Sequence, residues 1–274
     1  MPPENVLIYG AGHMGTAIAL GLMHKGYRNL QIIDPSEERR RVLNEQHGIN
    51  VLTSPSVFNP EDIVILAIPP QAFSQFGGNA PLFRQHIGPV ISVIAGVKIA
   101  TISKVLGVSQ VIRAIPNTPS EVFQGMTVFC SSEKMKQESI EKAQNIFESF
   151  GRAVQVSDET LIDPATALCG GGPAFVAYFA DAMSSFASHV GFDMPSAILM
   201  TTQVLRGAAD LIETTGKTPM QVCQEVMTPQ GTTEQGIWHF DENCLKSIVQ
   251  AALLKSTQRS CDLGAIEQHS PTEI

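Results

Sequence analysis

The sequence predicts an α/β chain in which a parallel-sheet domain is followed by an all-α domain, and three observations predict it. Continuous apolar runs, of the kind buried on both faces of a parallel sheet, recur up to about Val156. Helical patterns alternate with them, as βαβ units require. Beyond about Asp158 the strand signal disappears, and from Leu161 the apolar spacing is helical. The expected division is therefore 1–160 and 161–274.

The first run, Val6 to Tyr9, opens into Gly10-Ala11-Gly12-His13-Met14-Gly15 and then into a helical pattern from Thr16 to His24. The spacing G-x-G-x-x-G between strand and helix is that of a dinucleotide-binding turn of the Rossmann type. One glycine makes the turn, the second lets backbone approach a pyrophosphate, and the third packs helix on strand. The next strand, Gln31-Ile32-Ile33-Asp34, ends in an acid. Such an Asp accepts from ribose hydroxyls and favours NAD(H). Ser36, Arg39 and Arg40 follow closely enough to hold the 2′-phosphate of NADP(H) if the Asp turns away, so the choice stays open.

Glu37 to His47 reads as a helix stopped by Gly48. Three buried strands follow. Asp62 to Ile68 ends at Pro69-Pro70, Pro89 to Ile94 runs into Ala95-Gly96, and Gln110 to Ile115 runs into Pro116-Asn117-Thr118-Pro119. Proline and glycine punctuate strands in general. Their recurrence at carboxyl ends beside the glycine turn points to a cofactor groove. Met126 to Cys130 and Ala153 to Val156 are expected as short strands around a helix near Lys134 to Phe150.

In the helical part, Gly170-Gly171-Gly172-Pro173 opens what is expected to be the largest helix, with Phe175, Phe179, Met183, Phe186 and Val190 on one face and Ala177, Ala180, Ala182 and Ala187 on the other. A helix this apolar all round needs partners on several sides, as a bundle centre or as half of a subunit interface. Pro195 to Thr214 is a second helix with proline in its first turn. In Thr228-Pro229-Gln230-Gly231-Thr232-Thr233-Glu234-Gln235-Gly236, Thr232 and Gln235 have the spacing of a capping box. A helix starting here offers free N–H groups to an anion. Gly231 would let a ligand reach the backbone, and Thr233 adds a hydroxyl. Glu234 is read as a first-turn acid favoured by the helix dipole.

Composition narrows the function. At 43% hydrophobic and 16% charged residues the chain is globular. Its net charge of −8, with Arg39-Arg40-Arg41 as the one basic cluster, argues against a nucleic-acid partner. Five scattered cysteines without C-x-x-C spacing suggest reduced thiols and no metal site. Neither a secretory stretch nor a membrane-length apolar run is found, so a cytoplasmic location is expected.

The motifs G-A-G-H-M-G at Gly10, A-I-P-P at Ala67, S-V-I-A-G-V at Ser92, R-A-I-P-N-T-P at Arg113, C-G-G-G-P-A-F at Cys169 and T-P-Q-G-T-T at Thr228 occur in order. In these the chain resembles the pyrroline-5-carboxylate reductase family, which makes proline by reducing a cyclic imine with NAD(P)H. The resemblance implies an N-terminal dinucleotide domain and a helical C-terminal domain that dimerises, with assembly beyond the dimer in many members. It implies cofactor contacts at Gly10, Ala11, Gly12, His13, Met14, Gly15, Ser36, Ala67, Ile68, Pro69, Pro70, Ile94 and Ala95, to which the reading of the second strand's end adds Asp34 and Arg39. It also implies that backbone at Gly231, Thr232 and Thr233 holds the substrate carboxylate, with the Thr233 hydroxyl beside the ring nitrogen as the catalytic group. Two positions depart from the family pattern: Pro69 stands where lysine is usual, and Gln230 where glycine is.

A protonated cyclic imine is already electrophilic, and accepting hydride neutralises it. The site then needs orientation more than a strong acid or base. The seven histidines share no motif, in keeping with that economy. A β-hydroxyacid dehydrogenase is the nearest enzymatic alternative, but it would place a lysine on the helix after the glycine turn, and Phe175 to Val190 contains none. A cofactor-binding regulatory protein without turnover is the alternative outside catalysis.

Overall fold

A computed structural model describes residues 5–56 and 58–267. The chain divides into two compact units, one comprising 1–171 with 254–274 and the other 172–253.

The first unit is built on strands β1 (Val6–Tyr9), β2 (Leu30–Ile33), β3 (Val51–Leu52), β4 (Ile63–Leu66), β5 (Val90–Ser92), β6 (Val111–Ile115), β7 (Gly125–Ser131) and β8 (Gly151–Gln155). They form one sheet in the order β3-β2-β1-β4-β5-β6-β7-β8. All neighbours are parallel except β6 and β7, so β7 and β8 run against the rest. Helices α1 (His13–His24), α2 (Glu37–His47), α3 (Pro70–Phe76), α4 (Ala80–Phe83), α5 (Ile99–Leu106) and α6 (Gln137–Phe147) make the connections. A 3₁₀ turn, Thr118–Val122, leads into β7.

The uniformly apolar runs sort themselves by the two-residue period of a strand. Val6 and Ile8 of β1 pack with Ile63 and Ile65 of β4, Ile18 and Leu22 of α1, and Phe147 of α6 on one face. On the other face Leu7 and Tyr9 pack with Val64, Leu66, Phe83 and Ile102. Burial on both sides explains why the sequence of these strands does not alternate. Helix α2 spans the residues expected of it. Ser36 caps its start by accepting from the Arg39 N–H, and Gly48 ends it in a left-handed conformation.

Beyond β8, α7 (Ile162–Ala165) and a π-helical turn (Thr166–Gly170) complete this part of the first unit. The second unit holds α8 (Gly172–His189), α9 (Met194–Thr215), α10 (Pro219–Val226), α11 (Thr232–Glu242) and the start of α12 (Leu245–Glu267). Helix α8, at 18 residues, is shorter than α9 at 22 and α12 at 23, so the glycine turn does not open the largest helix. Proline, which has no N–H, is tolerated in the first turn of α9 because a donor there would have no intrahelical acceptor, and the helix runs unbroken to Gly216.

The expected capping box at Thr232 and Gln235 is not formed. Gly231 is the cap of α11, in extended backbone, and Thr232 already lies inside the helix, so its side chain is not placed to cap. The box in this unit is Thr218 with Gln221, at the start of α10. The same short spacing occurs at both places, and the backbone conformation decided between them.

Candidate active site

The sheet order reverses direction between β1 and β4, which is where ligands bind in open α/β sheets. Four of the expected segments meet along this edge because they follow the carboxyl ends of adjacent strands. Gly10 to Gly15 follow β1, Asp34 and Ser36 follow β2, Ala67 to Pro70 follow β4, and Ile94 and Ala95 follow β5.

The three glycines have separable reasons. Gly10 has φ +109°, and a side chain there would run into the Ala67 carbonyl at the end of β4. A side chain on Gly15 would overlap the Gly10 carbonyl, so this residue sets how closely α1 packs on β1. Around Gly12 there is open space. This opening at the helix start is a cradle that a Cβ would fill, and it suits a pyrophosphate. Ala11, Gly12, His13, Arg39, Val42 and Glu121 are among the residues lining a cleft of about 680 Å³ along α1 and α2. His13 stands out from the loop with Nδ1 3.4 Å from Glu121 Oε1. Met14 is half-buried against the core below.

Asp34 is turned inward and only 2% exposed. One carboxylate oxygen accepts from the Ala11 N–H at 2.8 Å, the other from the Ser36 N–H at 2.8 Å, and Arg39 Nη1 approaches at 3.4 Å. The acid therefore ties the glycine loop to the start of α2. Arg40 donates to the Asp34 and Pro35 carbonyls, whereas the Arg39 side chain remains about half exposed. On the β4 side Ala67 and Ile68 are half-buried, Pro69 is exposed, and Pro70 starts α3. Ile94 is buried and Ala95 exposed at the end of β5.

The carboxyl end of β6 carries interactions that sequence reasoning passed over. Asn117 is buried, donates to the Cys169 carbonyl at 3.1 Å and accepts from the Met126 N–H at 2.8 Å, which joins the β6 loop, β7 and the π-helical turn. Burial pushes the Cys169 thiol up from its ordinary value and keeps it protonated. Arg113 lies 1% exposed within β6, paired with Glu159 at 3.3 Å and Asp163 at 3.0 Å. Ser260 of α12 donates to the same Asp163 carboxylate. An arginine inside the run V-I-R-A-I was the visible signal, since a charge in a buried strand must be paired.

In the second unit, Thr228 to Gly231 form a turn closed by the Gly231 N–H donating to the Thr228 carbonyl at 2.8 Å. The Gly231 N–H is thus committed. A side chain at Gly231 would collide with Thr228, so this glycine answers a crowding inside the loop. Gln235 N–H is the first to find a helical acceptor, which leaves the N–H groups of Thr232, Thr233 and Glu234 free among the described residues. Three such donors at the start of an 11-residue helix can hold a carboxylate. Among the described residues no group of three or more His, Cys, Asp or Glu is placed to hold a metal ion, and no helix is long and apolar enough to cross a membrane.

Comparison with known proteins gives the family. A reductase of this kind from Methanosarcina acetivorans, a pyrroline-5-carboxylate reductase, is 33% identical, with 96% of this chain and 99% of the relative covered. The chain belongs to the pyrroline-5-carboxylate reductase family. The family's member from Synechocystis sp. is 32% identical over 94% of this chain and 97% of its own length. Residues 159–263 match the model described as pyrroline-5-carboxylate reductase dimerisation, and residues 5–96 match that described as NADP oxidoreductase coenzyme F420-dependent. The solved pyrroline-5-carboxylate reductase from Coxiella burnetii superposes with a TM-score of 0.88 at 29% identity, over 95% of this chain and 98% of that one.

Proposed function

We propose that the chain reduces 1-pyrroline-5-carboxylate to L-proline, the last step of proline biosynthesis, with NADPH as the better donor and NADH as the weaker. Membership of the family carries the reaction; the free N–H groups at the start of α11 carry the substrate's place. The bound cofactor supplies a hydride to the carbon of the C=N bond. The protein's part is to hold the ring carboxylate on the Thr232 and Thr233 amides, with Gly231 shaping the turn beneath them and the Thr233 hydroxyl as hydrogen-bond partner of the ring nitrogen. No strong acid is required, because the imine nitrogen already carries the proton that the product amine keeps.

Gly10 to Gly15 receive the pyrophosphate, and the turns Ala67 to Pro70 and Ile94 to Ala95 border the rest of the cofactor. The inward Asp34 supports the preference for NADPH. Its oxygens accept from the Ala11 and Ser36 N–H groups, which turns the carboxylate toward the glycine loop, and the Arg39 guanidinium 3.4 Å away offsets part of its charge; Ser36 with Arg39 offers a hydroxyl and a cation. The apolar helices of the second unit associate with a second copy, giving a homodimer or a higher homo-oligomer in the cytoplasm.

Steady-state oxidation of NADPH and NADH with pyrroline-5-carboxylate tests this reading. Turnover with both is expected, with a lower KM for NADPH, and Arg39→Ala should reduce that preference by about 10-fold, the loss of one charge-assisted contact. Thr233→Ala should lower turnover while leaving NADPH titration unchanged. Cofactor binding without consumption of either donor would instead mark a regulatory protein.

A further inference from the structure

Gln230 is one of three non-glycine residues with positive φ among those described, at +61°. A residue with a Cβ is disfavoured there, because its Cβ crowds the backbone, and Gln has no short polar side chain to offset this. It is nevertheless the third residue of the Thr228–Gly231 turn, where the geometry asks for glycine. Something must hold it. The Gln230 N–H donates to Glu234 Oε2 at 2.8 Å. Glu234 lies in the first turn of α11, the helix whose free amides face the proposed carboxylate.

We infer that Glu234 is a positioning residue for substrate binding: its carboxylate pins the strained Gln230 and so aims the Thr232 and Thr233 amides. The inference rests on the substrate site proposed above. Two devices then keep the loop in place, the turn bond from Gly231 to Thr228 and the bond reaching back from the helix to Gln230. A purely electrostatic role has the opposite sign, since a negative charge beside an anion site weakens anion binding. Removing Glu234 would in that case improve affinity.

The test is a double-mutant cycle of E234A and Q230G, with E234Q as the conservative variant. In the natural background E234A is expected to raise the KM for pyrroline-5-carboxylate by ~10-fold, with kcat and the NADPH KM changed less than about twofold, the pattern of lost ground-state positioning. E234Q keeps an acceptor oxygen and should recover most of the loss. In the Q230G background glycine holds the turn unaided, so E234A should change the KM by less than about twofold. Calorimetric titration of proline should follow the same pattern and does not depend on turnover. A KM that is unchanged or lower in E234A, or an equal rise in both backgrounds, overturns the inference. If E234A folds only in the Q230G background, by thermal melting, the inference stands; failure in both backgrounds overturns it. Absence of turnover in the natural chain would sink the functional reading, while the proline titrations would still decide the role of Glu234.

Discussion

The two units of the molecule bury their apolar residues very differently. Among the described residues the three buried clusters all lie in the first unit, where both faces of the sheet are covered. Between Gly172 and Leu253 only Ser184, Ala197 and Thr201 are buried, and two of these form a polar pair, the Ser184 hydroxyl donating to Thr201 at 3.2 Å. Meanwhile Tyr178 is 83%, Phe186 68% and Leu199 70% exposed. Large apolar side chains stand exposed on α8, α9 and α11, and exposure of this kind is typical of interaction surfaces. The first unit gathers its apolar residues into buried clusters within one chain, and the second leaves most of its own exposed. The match of residues 159–263 to a dimerisation model points the same way.

The comparison breaks most severely at Gly15. Gly15→Val drives a side chain into the Gly10 carbonyl, which costs more than the ~1–3 kcal/mol of ordinary overpacking, and should leave no cooperative melting transition. Gly12→Val sharpens the point, because its side chain meets only open space. Folding should persist by circular dichroism while NADPH titration is lost.

Next in size is Leu199→Arg. On a helix facing water such a change alters stability by no more than ~0.5 kcal/mol. At an interface between two copies it strands a charge, and the protein should elute as a monomer in light-scattering chromatography with a lower melting temperature. An unchanged mass and melting temperature would mean that this face is not the one covered.

The smallest effect belongs to the segment between α4 and β5. His86 is buried against Phe58 and Phe83, and that burial lowers its pKa from 6.5, outweighing the nearby Asp62 carboxylate. The unfolded chain therefore takes up a proton more readily than the folded one, so stability is full above pH 6.5 and declines as the pH falls through and below it. Urea midpoints at pH 7.5 and 5.5 should show the fall, and His86→Leu should make it shallower.

Much of the first unit was legible because local rules and tertiary demands agree there. Continuous apolar strands, Gly48 after α2 and the glycine turn each have one reading that a parallel sheet accepts. The substrate loop was less legible. The spacing that suggested a box at Thr232 describes side chains, whereas the cap is set by the φ and ψ of Gly231. Glu234 looked like any acid at a helix start until the positive φ of Gln230 gave it a partner. Arg113 was quoted within a motif, but its acids come from 46 and 50 residues further along.

What the sequence determined by itself was the kind of elements and their order, along with the residues that could meet nucleotide and acid, because these follow from periodicity, glycine and proline chemistry acting over a few residues. The tertiary structure alone decided which way Asp34 points, which amides beside Gly231 stay free and which glycines answer protein rather than ligand. Each of those depends on where a distant carbonyl or N–H comes to rest, and no local spacing carries that information.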